Sequence, residues 1–245
     1  CIRTIDIDII GETDRHLSFF EMLGNFSVGE YFKEDAIKYS YEYITEVLKV
    51  DKDKLWFTVY KDDDEAYDIW KNVIGVPEKR IQRGNEDNFW HMNIPGPCGP
   101  CSEIFIDRGS KYGEDGGPIG GGEDRFIEIW NLVFMESIQD QPFQVIDELP
   151  KKNIDTGMGL ERIAMIMQDK DNLFDTDLFK PLHDALLSKI TVNDNKYEKI
   201  IIDHIKSSTF MISDGVVPTN EGRGYVLRRL ITVSYTHLTL PTRKL

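Results

Sequence analysis

Apolar residues recur along the chain with two different periods, and the switches between them outline its elements. Over residues 34–50, Ile37, Tyr41, Ile44 and Leu48 fall three to four apart, the spacing that lines one face of an α-helix. Residues 55–60 are Leu-Trp-Phe-Thr-Val-Tyr, an aromatic and β-branched run that predicts a strand. Helical spacing returns over 62–74, with Ala66, Ile69, Trp70 and Val73 inward and carboxylates at the start, where a helix is positive. Residues 102–106 and 126–135 predict two more strands, the second almost wholly apolar except at Glu128 and Asn131. The seven glycines of residues 109–122, between them, are too permissive for a regular element and predict a mobile surface loop. Beyond Arg162 the pattern is helical over 163–167, 178–187 and 199–212. Strands early and helices late predict an α+β fold in which an antiparallel sheet leads into helices.

A length of 245 residues allows one large domain, or one domain with part of a second. Neither a membrane-length apolar run nor a signal-like start is present, so a cytoplasmic protein is expected. Three cysteines, two of them in Cys98-Gly99-Pro100-Cys101, argue against a disulfide framework. That run predicts a tight turn rather than a zinc site, because no second Cys or His pair completes four ligands. A net charge of −14 argues against general nucleic-acid binding. Residues 199–230 depart from that average, with five lysines and arginines against three acids, which leaves room for a local RNA-facing surface.

Candidate chemistry concentrates in Asp155-Thr156-Gly157-Met158-Gly159-Leu160-Glu161-Arg162, at a predicted strand-to-helix transition. Two spaced glycines let a nucleotide approach the backbone, the following helix presents free N–H groups, and Arg162 offers paired donors to phosphate. Asp155 and Glu161 bracket the glycines. Asn131 is notable too, since an amide within an apolar strand is costly unless something pairs with it.

Joined to Arg15-His16-Leu17-Ser18-Phe19-Phe20-Glu21-Met22, Gly96-Pro97-Cys98-Gly99-Pro100-Cys101-Ser102-Glu103, Ile129-Trp130-Asn131-Leu132-Val133-Phe134 and Gly224-Tyr225-Val226-Leu227-Arg228-Arg229, that run resembles the catalytic domain of the alanyl-tRNA synthetases, within the class II aminoacyl-tRNA synthetases. The resemblance spans residues 1 to 231. It implies a class II synthetase-type antiparallel sheet flanked by helices, followed by the start of an all-helical tRNA-recognition region. The catalytic core would be residues 1–170 and the helical region 171–231.

The implied activity is activation of L-alanine by ATP, with Mg2+, and transfer to the 3′-terminal ribose of tRNA-Ala. Arg3 would bridge the α-phosphate and the substrate carboxylate, and Arg15 and His16 would meet the outer phosphates. Phe20 would stack on adenine beside Met22, while Gly157, Gly159 and Arg162 complete the nucleotide site. Asp155 would hold the alanine ammonium and Asn131 its polar atoms, with Trp90, Val133 and Gly157 shaping a methyl-sized cavity. Glu128 is a candidate magnesium ligand, on the opposite strand face from Asn131 if the strand is regular. Asn220 would approach the acceptor stem, with Arg223, Arg228 and Arg229 on phosphates. Without the resemblance, Arg3 is a surface arginine, Val133 and Trp90 are core, and Asn220 is a helix N-cap.

Several departures accompany the resemblance. Met92-Asn93-Ile94-Pro95 stands where the family usually carries a Gly and a Thr. The chain is expected to be a fragment that lacks the family's first motif and to be poorly active on that account, and residues 232–245 are expected to be foreign to it. One methylene distinguishes substrates by only about 1–3 kcal/mol, so an editing site is expected in the full-length protein. Its His-x-x-x-His signature is missing here, so zinc is not expected in this chain, and an editing-domain zinc is expected in the full-length protein. Two other classes compete: a synthetase-like nucleotide-binding regulatory protein without aminoacylation, and a nucleotide-dependent ligase for another acceptor.

Overall fold

Leu55–Tyr60 and the long apolar run beginning at Phe126 become inner strands of one sheet in the computed structural model, which describes residues 1–188 and 194–239. Its eight strands are β1 (Met22–Leu23), β2 (Phe26–Val28), β3 (Leu55–Tyr60), β4 (Ile81–Gly84), β5 (Phe89–His91), β6 (Gly96–Asp107), β7 (Phe126–Gln141) and β8 (Gln144–Gly159). The spatial order is β1-β8-β7-β6-β3-β4, with β2 also on β8 and β5 also on β6. β3 and β4 run parallel, and every other pairing among β2 to β8 is antiparallel. The chain forms two units by contact, one of Leu23–Gly159 and one combining Cys1–Met22 with Leu160–Leu245.

In the first unit one sheet face carries Phe57, Ile104, Leu132, Phe134 and Ile154, all buried. Helix α1 (Lys33–Glu42), with its π-helical continuation Tyr43–Val47, and helix α2 (Asp64–Asp68), continued by Ile69–Ile74, cover that face. The expected inward residues Ile37, Ile44, Ala66, Ile69 and Trp70 are buried. Trp70 lies 4.1 Å from the Phe57 ring and donates its indole N–H to Ser102 Oγ at 2.8 Å. Val73 departs from expectation and is exposed, because the chain widens to π-helical winding at Ile69, which shifts later residues off a 3.6 period. Val76 takes a buried place instead. Asp63 caps α2 by accepting from Ala66 N–H, as the acidic helix start predicts.

Two further expectations are corrected. Cys98-Gly99-Pro100-Cys101 is extended strand, not a turn: Cys98 pairs with His91 and Cys101 with Val133, and the register on β7 slips between them. Prolines suit a slip, where a ladder N–H has no fixed partner. Gly99 is required there, since a Cβ would come within 1.9 Å of the Phe134 carbonyl oxygen. The glycine-rich segment 109–122, expected to hold no regular element, contains a 3-10 turn, Ser110–Tyr112, and a short helix α3 (Gly117–Gly120). Gln82 bonds both Gly116 O and Ile119 N, and Arg125 grips Asp107 through two bonds of 2.7 and 2.9 Å. The first half of β8 carries no apolar period because it is exposed, so its strand character comes from pairing with β7.

The second unit holds helices α4 (Leu160–Met167), α5 (Lys180–Leu187), α6 (Asn195–Ser213) and α7 (Gly222–Thr239). Buried Asp203 on α6 accepts from Ser18 N at 2.8 Å and Ser18 Oγ at 2.5 Å, which ties the N-terminal stretch to that helix. Thr232, where a foreign segment was expected to begin, lies inside α7, and residues 240–245 of that segment lie outside the described residues.

Glu161, one of the two acids bracketing the glycines, is buried and structural. Its carboxylate accepts from Glu21 N at 3.0 Å and from Lys206 Nζ at 3.0 Å, while Leu160 N–H donates to Glu21 O at 2.9 Å. Glu161→Ala is expected to cost about 3 kcal/mol, because it leaves the Lys206 ammonium buried without a counter-charge. Denaturant unfolding measures the loss, and a change below about 0.5 kcal/mol would show that the pair contributes nothing.

Candidate active site

On the sheet face opposite the helices, register collects a polar group of side chains. Asn131 pairs with Glu103 on one side and Gly157 on the other, and Val133 pairs with Cys101 and Asp155. Pair partners share a face and alternate residues repeat it, so Cys101, Glu103, Asn131, Val133, Asp155, Gly157 and Gly159 project the same way. Trp90, half-buried in β5, pairs with Gly99 two residues before Cys101.

Asn131 Nδ2 donates to Glu103 Oε1 at 3.3 Å, whereas its Oδ1 is buried with no hydrogen-bond partner among the described residues. Asp155 has no ion-pair partner among them either, and burial raises its pKa above the usual carboxylate range. An unsatisfied amide oxygen and a carboxylate that lacks a cation, separated by one pair position, suit a ligand ammonium. Gly157, opposite Asn131, carries no side chain. Val133, buried between Cys101 and Asp155 in register, supplies apolar surface.

Glu128 does not lie on the opposite face, as a regular strand would place it. Ile104 pairs with Trp130 but Phe105 with Glu128, so β7 holds one extra residue and a bulge turns Glu128 onto the face of Asn131.

Sequence reasoning missed Glu103, which stands at the centre of this group. Its Oε2 accepts from Thr58 Oγ1 at 3.0 Å and Asn88 Nδ2 at 3.1 Å. Burial, then the charge of Glu128, raise its pKa to about 8, against the opposing pull of Thr58 and Asn88. The signal available was an acid within the otherwise apolar and small residues of the predicted run 102–106. Cys101 beside it is buried, which pushes its thiol well above the ordinary range and leaves it unreactive.

The second unit gathers the basic candidates. His16 accepts from or donates to Thr13 Oγ1 at 2.7 Å, and its pKa is lowered by burial and then by the charges of Arg15 and Arg162, with Arg3 adding to them and Asp6 opposing. Three arginines thus act on one partly buried imidazole, a gathering of positive charge. Arg3 pairs with Asp6 at 2.8 Å, and its guanidinium lies 5.9 Å from the Phe20 ring centroid. Met22 is exposed in β1. Arg162 occupies the first turn of α4, three residues past Gly159.

Asn220, Arg223, Arg228 and Arg229 are all exposed at the start of α7 and just before it. Arg228 bonds Asn220 Oδ1, and Arg229 pairs with Asp8 at 3.0 Å. Asn93, in the segment that departs from the family pattern, has φ 58, a left-handed conformation that asparagine tolerates better than most residues.

The family model described as tRNA synthetases class II (A) matches residues 1–240. The chain belongs to the class II tRNA synthetases. It is similar to the alanine–tRNA ligase of Thermobifida fusca (strain YX), at 50% identity over 257 residues that cover 98% of this chain and 29% of that protein. The alanine–tRNA ligase of Corynebacterium glutamicum (strain R) is 50% identical over 94% of the chain and 28% of its own length. That of Corynebacterium diphtheriae is 51% identical over 94% of the chain and 28% of its own length. This synthetase chain therefore spans under a third of the length of these relatives. Class II synthetases in general use ATP and Mg2+.

Two titrations check the site. The folded chain keeps the Glu103 proton to about pH 8, while the unfolded chain releases it near 4.5, so stability is fully present below that lower value and is lost as pH rises through the folded pKa. Glu103→Gln should therefore gain stability over the wild type between those limits, by at most about 1.4 kcal/mol per pH unit, in denaturant unfolding. An offset that stays constant with pH would mean that Glu103 ionises normally. For His16, phosphate bound among the arginines offsets their charge, so its NMR titration midpoint should move upward when ATP is added. A downward or absent shift would place the nucleotide elsewhere.

Proposed function

We propose that the full-length protein is an alanine–tRNA ligase, and that this chain supplies its amino-acid and nucleotide binding groups. The observation that carries the reading is the register pairing of Asn131 with Gly157 and of Val133 with Asp155, which leaves Asn131 Oδ1 and the Asp155 carboxylate without a cation. Alanine supplies what such a group needs: an ammonium for the two oxygens and one methyl for the space against Val133 and Trp90. Larger side chains would clash, and glycine or serine would differ by only about 1–3 kcal/mol.

Activation requires the alanine carboxylate to attack the α-phosphorus of ATP. A P–O bond forms, the bond from the α-phosphorus to the bridging oxygen breaks, and pyrophosphate leaves. The carboxylate is already ionised at neutral pH, so no general base is needed and positioning with charge neutralisation suffices. Arg3 would meet the α-phosphate, since its one bond to Asp6 leaves other guanidinium donors. Arg15, His16 and Arg162 would meet the outer phosphates, and Phe20 and Met22 the adenine. Glu128 would hold Mg2+, which would offset the charge that Glu128 presents to Glu103.

Transfer to tRNA-Ala would use the exposed residues around the start of α7. Asn220, with Oδ1 held by Arg228, keeps its amide N–H groups for a minor-groove edge or a 2′-hydroxyl, and Arg223, Arg228 and Arg229 reach phosphates. No helix among the described residues is long and apolar enough to cross a membrane, which supports a cytoplasmic site of action.

Alanine-dependent exchange of pyrophosphate into ATP by the full-length protein tests the reading. Exchange with alanine, weaker exchange with serine or glycine, and loss of alanine use with retained ATP binding in Asp155→Ala are the expected results. Intact ATP binding with no alanine-dependent exchange in the wild type would overturn it.

A further inference from the structure

Apart from the amino-acid face, the first unit holds a pocket of about 500 Å³ where the starts of α1 and α2 meet β3 and β7. Small organic ligands occupy pockets of about 300–1,000 Å³. None of the residues lining this one belongs to the amino-acid face. We propose that it is a binding site for a linear polyamine, with one ammonium against Asp63 and others against Asp62 and Glu148 on the rim. The site is independent of the proposed activity, and a protein without alanine-dependent exchange would leave it untouched.

Both ammonium groups of the pocket are already engaged. Lys33 Nζ, buried at the floor, has three hydrogens, and three carboxylate oxygens face them: Asp63 Oδ1 at 2.9 Å, Glu65 Oε2 at 3.3 Å and Glu136 Oε1 at 3.4 Å. Lys152 pairs with the other oxygen of Glu136, at 3.4 Å. Asp63 Oδ1 also accepts the Ala66 N–H that starts α2, at 3.0 Å. Asp63 Oδ2, in contrast, is buried and has no hydrogen-bond partner among the described residues. A buried carboxylate oxygen in that condition is costly, and a donor brought by a ligand relieves it.

Charge and shape narrow the ligand further. Six carboxylates line the pocket against two ammonium groups. Asp64 is answered by Arg83 at 2.6 Å, but Asp62 and Glu148 have no ion-pair partner among the described residues. A fitting ligand therefore carries several positive charges. A metal ion does not suit: the place where Asp63, Glu65 and Glu136 converge is filled by Lys33 Nζ, and no group of three acids able to hold a metal occurs among the described residues. Carboxylates distributed from floor to rim match ammonium groups spaced along a flexible chain. Tyr60 and Phe89, with ring centroids 5.2 Å apart, give the intervening methylenes an apolar wall. Oδ2 is closed to solvent, so entry requires a side chain to move. Glu65, whose side chain is 60% exposed, is free to swing off Lys33.

Calorimetric titration of the full-length protein with spermidine tests the site, at about 0.15 M salt so that attraction between exposed charges is screened beyond about 8 Å. Asp62→Asn combined with Glu148→Gln removes two exposed rim charges and leaves the Lys33 pairs in place. Glu42→Gln combined with Asp140→Asn is the control, removing two exposed charges outside the pocket. The wild type should bind spermidine saturably, the rim variant at least about tenfold more weakly, and the control within about twofold of the wild type. Asp63→Asn keeps the cap on α2, because asparagine caps a helix as well as aspartate does, and should weaken spermidine by a similar factor. If that variant does not fold, the rim variant carries the comparison. n-Butylamine, with a single ammonium, should bind at least about tenfold more weakly than spermidine, and equimolar Mg2+ should not displace it. A pocket that holds only water would give no saturable binding. That result, equal affinities in the rim and control variants, n-butylamine binding as tightly as spermidine, or displacement by equimolar Mg2+ would each overturn the proposal and leave the alanine activity standing.

Discussion

Everything on the polar face of the sheet depends on the backbone ladder that joins β6, β7 and β8. Hydrogen bonds between those strands set which residues stand opposite one another, and a slip of one residue would send each side chain to the other face. The ladder is also where the structure departs from regularity. One extra residue in β7 at Ile129 brings Glu128 to the face that carries Asn131, and the slip between Cys98 and Cys101 lets Gly99 approach the Phe134 carbonyl. Both irregularities flank the same few pairs, and those pairs hold the amide and carboxylates of the candidate pocket.

A sheet that buries apolar residues on both faces would be more stable than this one. Here one face is devoted to Phe57, Ile104, Leu132, Phe134 and the tryptophan of the second helical segment, and it carries the fold. The other accepts an unpaired amide oxygen, a carboxylate without a cation, and a glutamic acid whose pKa is raised to about 8. Such groups lower stability and persist where a ligand completes them. The second unit has the opposite problem, positive charge crowded around His16, which phosphate would relieve. Neighbouring buried acids do structural work there: Asp203 ties down Ser18, and Glu161 holds Glu21 and Lys206.

Particular residues show where the sequence was informative. Strand Leu55–Tyr60 and the start of helix α4 after Gly159 were legible because burial on one side leaves a period and glycines mark a boundary. Val73 was misjudged because π-helical winding changes the period partway along a helix whose sequence shows no sign of it. The first half of β8 was invisible because both its faces meet solvent, so no apolar pattern records its pairing. The Cys98 to Cys101 run looked like a turn because glycine and proline favour turns, but they also suit a strand at a register slip.

By itself the sequence determined the α+β class, the apolar strands and helices, and the residue types able to meet phosphate, ammonium and RNA, because burial periodicity and side-chain chemistry are local properties. Only tertiary structure decided which of those residues cooperate. It gave Glu161 to the fold, turned Glu128 onto the face of Asn131, and made Glu103 the centre of a hydrogen-bonded chain from Thr58 and Asn88. The physical reason is that pairing register and hydrogen-bond direction depend on partners far away in the sequence, and no local pattern encodes the partner.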